Sequence, residues 1–119
     1  MSRKRKEELE RQIAALHEAI DELRRTLLHF KKSTATFVQL VEDGEAVYPA
    51  LEQIQGPILR RDLTDAVEMF EATRQRARTA ILTLGREQGA SMSEVGRLLG
   101  ISRQLASRLV AEADGRDDV

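Results

Sequence analysis

The sequence predicts an all-α protein: a long N-terminal helix of coiled-coil or bundle type, a second long helix, and two short helices joined by a tight turn at the C-terminal end. Three observations predict it. Apolar residues in the N-terminal third recur at alternating four- and three-residue steps for more than three heptads. The chain is rich in Ala, Leu, Glu, Arg and Gln, all good helix formers, and holds two Pro and seven Gly in 119 residues. Aromatic residues are 3% with no Trp, too few for a large sandwich or barrel core. Hydrophobic residues at 41% are too many for a disordered chain, and charged residues at 33% too many for a membrane span.

The first helix carries Leu9, Ile13, Leu16, Ile20, Leu23, Leu27 and Phe30 in one register, which continues to Thr34, Phe37 and Val41. Sustained 3.5-residue periodicity marks a coiled coil or a long bundle helix. Ile13 and Ile20 occupy a positions, and Leu9, Leu16 and Leu23 occupy d, the pattern that favours parallel two-stranded coils. The seven residues Leu9 to Phe30 are therefore the expected dimerisation seam. Small side chains at the flanking positions Ala19, Thr26 and Ser33 widen the apolar face and suit a helical bundle equally well. The helix is expected from about Lys4 to Val41, with Asp43-Gly44 ending it.

Gly44, Pro49, Gly56 and Pro57 break the pattern, so residues 44 to 57 read as a turn with a short helix from Ala50 to Gln55. Helical spacing resumes with Leu63, Val67, Phe70, Ala77, Ile81 and Leu84. A second long helix is expected from about Pro57 to Gln88, stopped by Gly89. The turn sends the chain back along the first helix. Two dimer geometries follow: a parallel coil of the first helix, or an antiparallel hairpin that pairs with a second hairpin as a four-helix bundle. The linear organisation is a dimerisation helix and turn (1–57), a second helix leading into a terminal motif (58–111, motif 91–110), and an acidic tail (112–119) expected to be disordered.

The motif is the most informative stretch. Ser91 and Glu94 form a capping-box pattern before an apolar run. Gly96 sits inside a short helix, where propensity disfavours it, so close helix–helix approach is its expected reason. Gly100 ends that helix, Ile101 anchors the turn, and Ser102 is placed to cap the next helix. Leu105, Ala106 and Leu109 point inward, leaving Arg103, Gln104, Ser107 and Arg108 for the outer face. This is the spacing of a helix-turn-helix, and the stretch resembles bacterial helix-turn-helix DNA-binding regulators of actinobacterial type. Gly100 falls on that family's turn glycine, Gly96 on the small residue four positions earlier, and Val95, Leu99, Ile101 and Leu109 on its apolar positions. Gly-Ile-Ser-Arg-Gln resembles the turn and recognition-helix start. Ala106 stands where Val or Ile is common, a departure that bears on helix tilt. The resemblance covers about 20 residues, or about 40 if residues 74–88 supply the first helix of a trihelical unit.

The resemblance implies a recognition helix over Ser102–Val110 lying in the major groove. Arg103 and Arg108 would donate bidentate pairs to guanine, Gln104 would read adenine, and Ser107 would serve base or phosphate. Ser91, Ser93 and Arg97, with Arg78 and Arg86 behind them, would contact phosphates. The net charge of −1 hides a polarised distribution. Residues 74–111 hold seven Arg against Glu87 and Glu94, whereas residues 33–73 hold Arg60 and Arg61 against eight acids. Positive charge thus lies where the motif lies.

Other chemistry is not expected. The chain has no Cys, which excludes disulfides, thiolate metal sites and Cys nucleophiles. His17 and His29 cannot make a zinc site by themselves. No phosphate-binding glycine loop or nucleophile–base set occurs, so neither enzyme activity nor a cofactor or metal is expected. Arg3-Lys4-Arg5-Lys6 has no apolar run after it and so is no signal peptide; it reads as a frayed basic end, or alternatively as a phosphate-binding arm. The reading is a homodimeric, sequence-specific DNA-binding protein, a bacterial transcriptional regulator in the cytoplasm at the nucleoid, with double-stranded DNA and a second copy as partners and no membrane. Two alternatives stay open: an adaptor whose coil binds RNA polymerase, a sigma factor or a partner regulator, and a nucleoid-associated protein of low sequence preference.

Overall fold

The structure, a computed structural model, describes residues 2–117, with side chains described over 3–115. Asp118 and Val119, the end of the expected tail, lie outside the described residues. Five helices and no strand occur among the described residues: α1 (Ser2–Glu42), α2 (Val47–Gln53), α3 (Gly56–Glu87), α4 (Met92–Leu99) and α5 (Arg103–Asp117). The protein is all-α, as its sequence predicts.

Local chemistry sets the helix ends. Gly44 adopts φ +102° and donates its N–H to Val41 O at 3.0 Å, closing α1. Gly89, at φ +87°, closes α3 in the same way onto Arg86 O. Only glycine takes this left-handed backbone without steric cost. The short helix starts at Val47 rather than Ala50. Pro49 is its third residue, within the first turn, where a backbone N–H has no helical acceptor to lose.

The chain forms two compact units. One comprises Met1–Leu16 with Ala72–Val119, the other His17–Glu71. This differs from the linear division at 57/58 and 111/112, because each unit combines a stretch of α1 with a stretch of α3. Residues distant in sequence share a unit, and no linear segmentation captures that.

In the unit His17–Glu71, α1 turns Ala19, Leu23, Thr26, Phe30, Ser33, Phe37 and Leu40 inward, buried or half-buried. From α3, Leu59, Leu63, Ala66 and Phe70 do the same. Both lines keep the 3.5-residue step, but the inward line of α1 is the d and g edge. The a residues Ile20, Leu27 and Val41 are exposed, Ile20 at 42% and Leu27 at 48%. Small g side chains such as Ala19 and Thr26 explain the choice, since they let a neighbouring helix approach closely.

The other unit has a defined core. Leu82, Ala106 and Val110 are almost wholly buried, with Met92, Val95, Leu99, Ile101 and Leu109 packed against them. Leu82 comes from α3, so the end of α3 is the third helix packed on α4 and α5. Residues 112–117 correct the expected disordered tail: α5 continues to Asp117. The reason is long-range pairing, because Asp114 accepts from Arg86 Nη1 at 2.9 Å and from Arg5 Nη2 at 3.4 Å. Arg3 to Lys6 are likewise helical rather than frayed, with Arg5 also 3.5 Å from Glu87.

Candidate nucleic-acid interface

The segment from Ser91 to Val110 is built from residues that each do one local job. Ser91 has extended backbone, and its hydroxyl oxygen accepts from Glu94 N at 3.4 Å, capping α4. Gly100 adopts φ +76° and ends α4. Ser102 Oγ accepts from Leu105 N at 3.1 Å, capping α5. Each cap satisfies an amide that the helix start leaves without a partner.

Gly96 explains how close the two helices come. A Cβ added there would lie 3.2 Å from Ile101 O and 3.4 Å from Ala106 Cβ. Any larger side chain would push the turn away, so the glycine tolerated against helix propensity is required by packing. Ala106, fully buried opposite it, is small for the same reason. The departure from the larger Val or Ile thus belongs to a matched pair of small residues. Gly85 plays the corresponding part on α3, where an added Cβ would lie 3.4 Å from Val95 Cγ2.

With Ala106 and Val110 committed to the core, the opposite face of α5 is fixed. Arg103, Gln104, Ser107 and Arg108 are all exposed. Arg103 and Ser107 are four apart, as are Gln104 and Arg108, so the four side chains form two adjacent rows on one face. Arg103, Gln104 and Ser107 engage no polar partner among the described residues; Arg108 Nε lies 3.9 Å from Glu112 Oε1 one turn on. Ser102 is exposed but its hydroxyl oxygen serves the cap. Ser93 and Arg97 are exposed on α4, and Ser91 is exposed at its start.

The structure does not leave every expected phosphate contact free. Arg86 is held by Asp114, and Arg78 is half-buried. Sequence reasoning also missed Leu98, which is 80% exposed beside Arg97. Its signal was present: the inward positions of α4 are Val95 and Leu99, and Leu98 falls outside that stripe.

Of the seven expected seam residues, Leu9, Ile13, Leu16, Leu23 and Phe30 are half-buried within their own chain, while Ile20 and Leu27 are exposed. Charge separates the two units. Met1–Leu16 with Ala72–Val119 carries thirteen Arg and Lys against nine Asp and Glu, a net of +4. His17–Glu71 carries six against eleven, a net of −5.

No protein-family model matches the chain, and no curated protein or solved structure matches it. Among the described residues no helix is long and apolar enough to cross a membrane, and no group of three or more His, Cys, Asp or Glu could hold a metal ion.

Proposed function

We propose that this protein is a homodimeric, sequence-specific DNA-binding protein of the bacterial helix-turn-helix kind, acting as a transcriptional regulator at the nucleoid. The single observation that carries the reading is the exposed polar face of α5, presented by a turn whose small residues, glycine and two serine caps are all accounted for. In this reading Arg103 and Gln104 read base edges, Arg108 and Ser107 add base or phosphate contacts, and Ser91, Ser93 and Arg97 set register on the backbone. The positive charge of the surrounding unit supports approach to a polyanion.

One such module makes few contacts, so two are needed to read half-sites roughly 34 Å apart. The exposed a residues Ile20 and Leu27 favour hairpin pairing into a four-helix bundle over a parallel a/d coil, because d residues such as Leu23 and Phe30 are already half-covered. An electrophoretic shift measured across salt concentrations tests the binding. A shift that keeps its preference for one duplex at physiological salt is expected. A steep loss with salt and no preference between duplexes would instead favour a low-specificity nucleoid protein.

The same exposed apolar side chains favour a second reading, an adaptor that binds a helix of RNA polymerase, a sigma factor or a partner regulator. Sedimentation separates the two. A particle of twice the 13.4 kDa chain mass supports the homodimer, and a monomer supports the adaptor.

A further inference from the structure

The unit that carries α4 and α5 also holds a cleft of about 570 Å3, walled by the first turns of α1, the middle of α3 and the second half of α5. The volume falls in the range of small-molecule sites, about 300–1,000 Å3. Its charge is one-sided. Lys4, Arg5, Arg11, Arg76 and Arg78 line it against Glu8 and Glu112.

Several of these charges are already matched. Arg5 is held by Glu87 and Asp114. Arg11 donates to Glu8, and Gln12 Nε2 donates to the same carboxylate at 2.7 Å. The bonds from Gln12 and Arg11 hold the Glu8 carboxyl below its ordinary value, so it stays charged and keeps Arg11 on the wall. Glu112 lies within 3.9 Å of Arg108. Lys4, Arg76 and Arg78 have no such acid among the described residues.

Arg78 is the most buried of the three. Its Nε is buried and has no hydrogen-bond partner among the described residues. A desolvated guanidinium N–H without an acceptor is costly, and native structures rarely leave one. The other unpartnered buried atom, Glu87 Oε1, does not line the cleft, and its carboxylate is held by Arg5 through the second oxygen. Ala80, Leu109 and Ala113 give the cleft an apolar side that would receive a carbon skeleton.

We propose that this cleft binds a small organic anion bearing phosphate or carboxylate groups, with Arg78 and Arg76 as its anchors and Lys4 at the rim. Leu109 and Ala113 would join the carbon skeleton of the bound molecule to α5, so its binding stabilises the placement of that helix. The inference does not depend on whether α5 meets DNA.

The test is a titration of the full chain, labelled with 15N, with inorganic phosphate and separately with citrate, following the arginine Nε–H resonances at constant ionic strength. Saturating shifts at Arg78 and Arg76, with Arg97 and Arg103 unmoved, are expected from one or both anions; the two arms distinguish phosphate from carboxylate chemistry. Arg78→Gln should weaken binding by about tenfold, the loss of one charge-assisted hydrogen bond. Arg76→Gln, at an exposed position that tolerates change, should weaken it in the same direction even if Arg78→Gln folds poorly. Non-saturating drift at every arginine would mean an adventitious ion only and would overturn the proposal. So would saturating shifts that survive both substitutions, or Arg78 shifts that appear with a DNA duplex and with neither small anion.

Discussion

The two compact units of this chain dispose of apolar surface in opposite ways. The unit with α4 and α5 closes its own core around Leu82, Ala106 and Val110. The unit His17–Glu71 buries mainly small side chains, Ala19, Ala50 and Ala66, with Leu59. Every exposed large apolar side chain among the described residues except Leu98 lies in that second unit, from Ile20 and Leu27 to Val67 and Met69. Their charges also oppose, +4 against −5. The contrast teaches a division of labour within one chain. A unit that is finished as a monomer can offer a polar face to a polyanion. A unit whose apolar side chains remain uncovered is suited to burying them against another protein surface.

The sharpest way to break this comparison is to truncate one side chain in each unit. Leu82→Ala should destabilise the protein by about 2–5 kcal/mol, because a fully buried leucine leaves a cavity. Leu27→Ala removes a side chain already half in water and should cost the monomer far less. Urea denaturation at low protein concentration reads both, and equal losses would erase the distinction between the units.

Association is the next largest effect. Changing Ile20 and Leu27 together to Ser should convert a sedimenting dimer to a monomer, with helical circular dichroism retained. A dimer that survives the double change would show that the uncovered a residues are not its seam.

Within the closed unit, Gly96→Val should cost about 1–3 kcal/mol, since its Cβ would meet Ile101 O at 3.2 Å and its branches would meet more. Thermal unfolding followed by circular dichroism checks this. A neutral effect would mean that α4 and α5 can separate without penalty. Smaller still, Ser91→Ala and Ser102→Ala should each cost about 1 kcal/mol through the lost caps. The Ser102 change should be the larger of the two, its bond being 3.1 Å rather than 3.4 Å.

Much of the closed unit was legible in the sequence because its determinants are local. Ser91, Gly96, Gly100 and Ser102 each act within a few residues of the amides or carbonyls they serve, and spacing alone identifies them. The inward edge of α1 was not legible. A 3.5-residue repeat looks the same whether its partner is a second chain or the next helix of its own chain. Only packing shows that g residues such as Ala19 turn inward while Ile20 does not. The continuation of α5 was hidden for a related reason: Asp114 meets Arg86 and Arg5 across 28 and 109 positions. Polar, acidic sequence with no apolar stripe reads as a solvated tail until such partners are placed beside it. The basic cleft was hidden in the same way, since its walls come from three separated stretches of chain.

The central claim, that the exposed face of α5 reads DNA sequence, is tested most directly by selection from a random-sequence duplex pool at physiological salt, run in parallel with the Arg103→Ala, Gln104→Ala double variant. The account predicts an enriched motif for the unaltered protein and its loss in the variant, with folding intact because both side chains are exposed and outside the core. No enriched motif, or the same motif from both proteins, would contradict it.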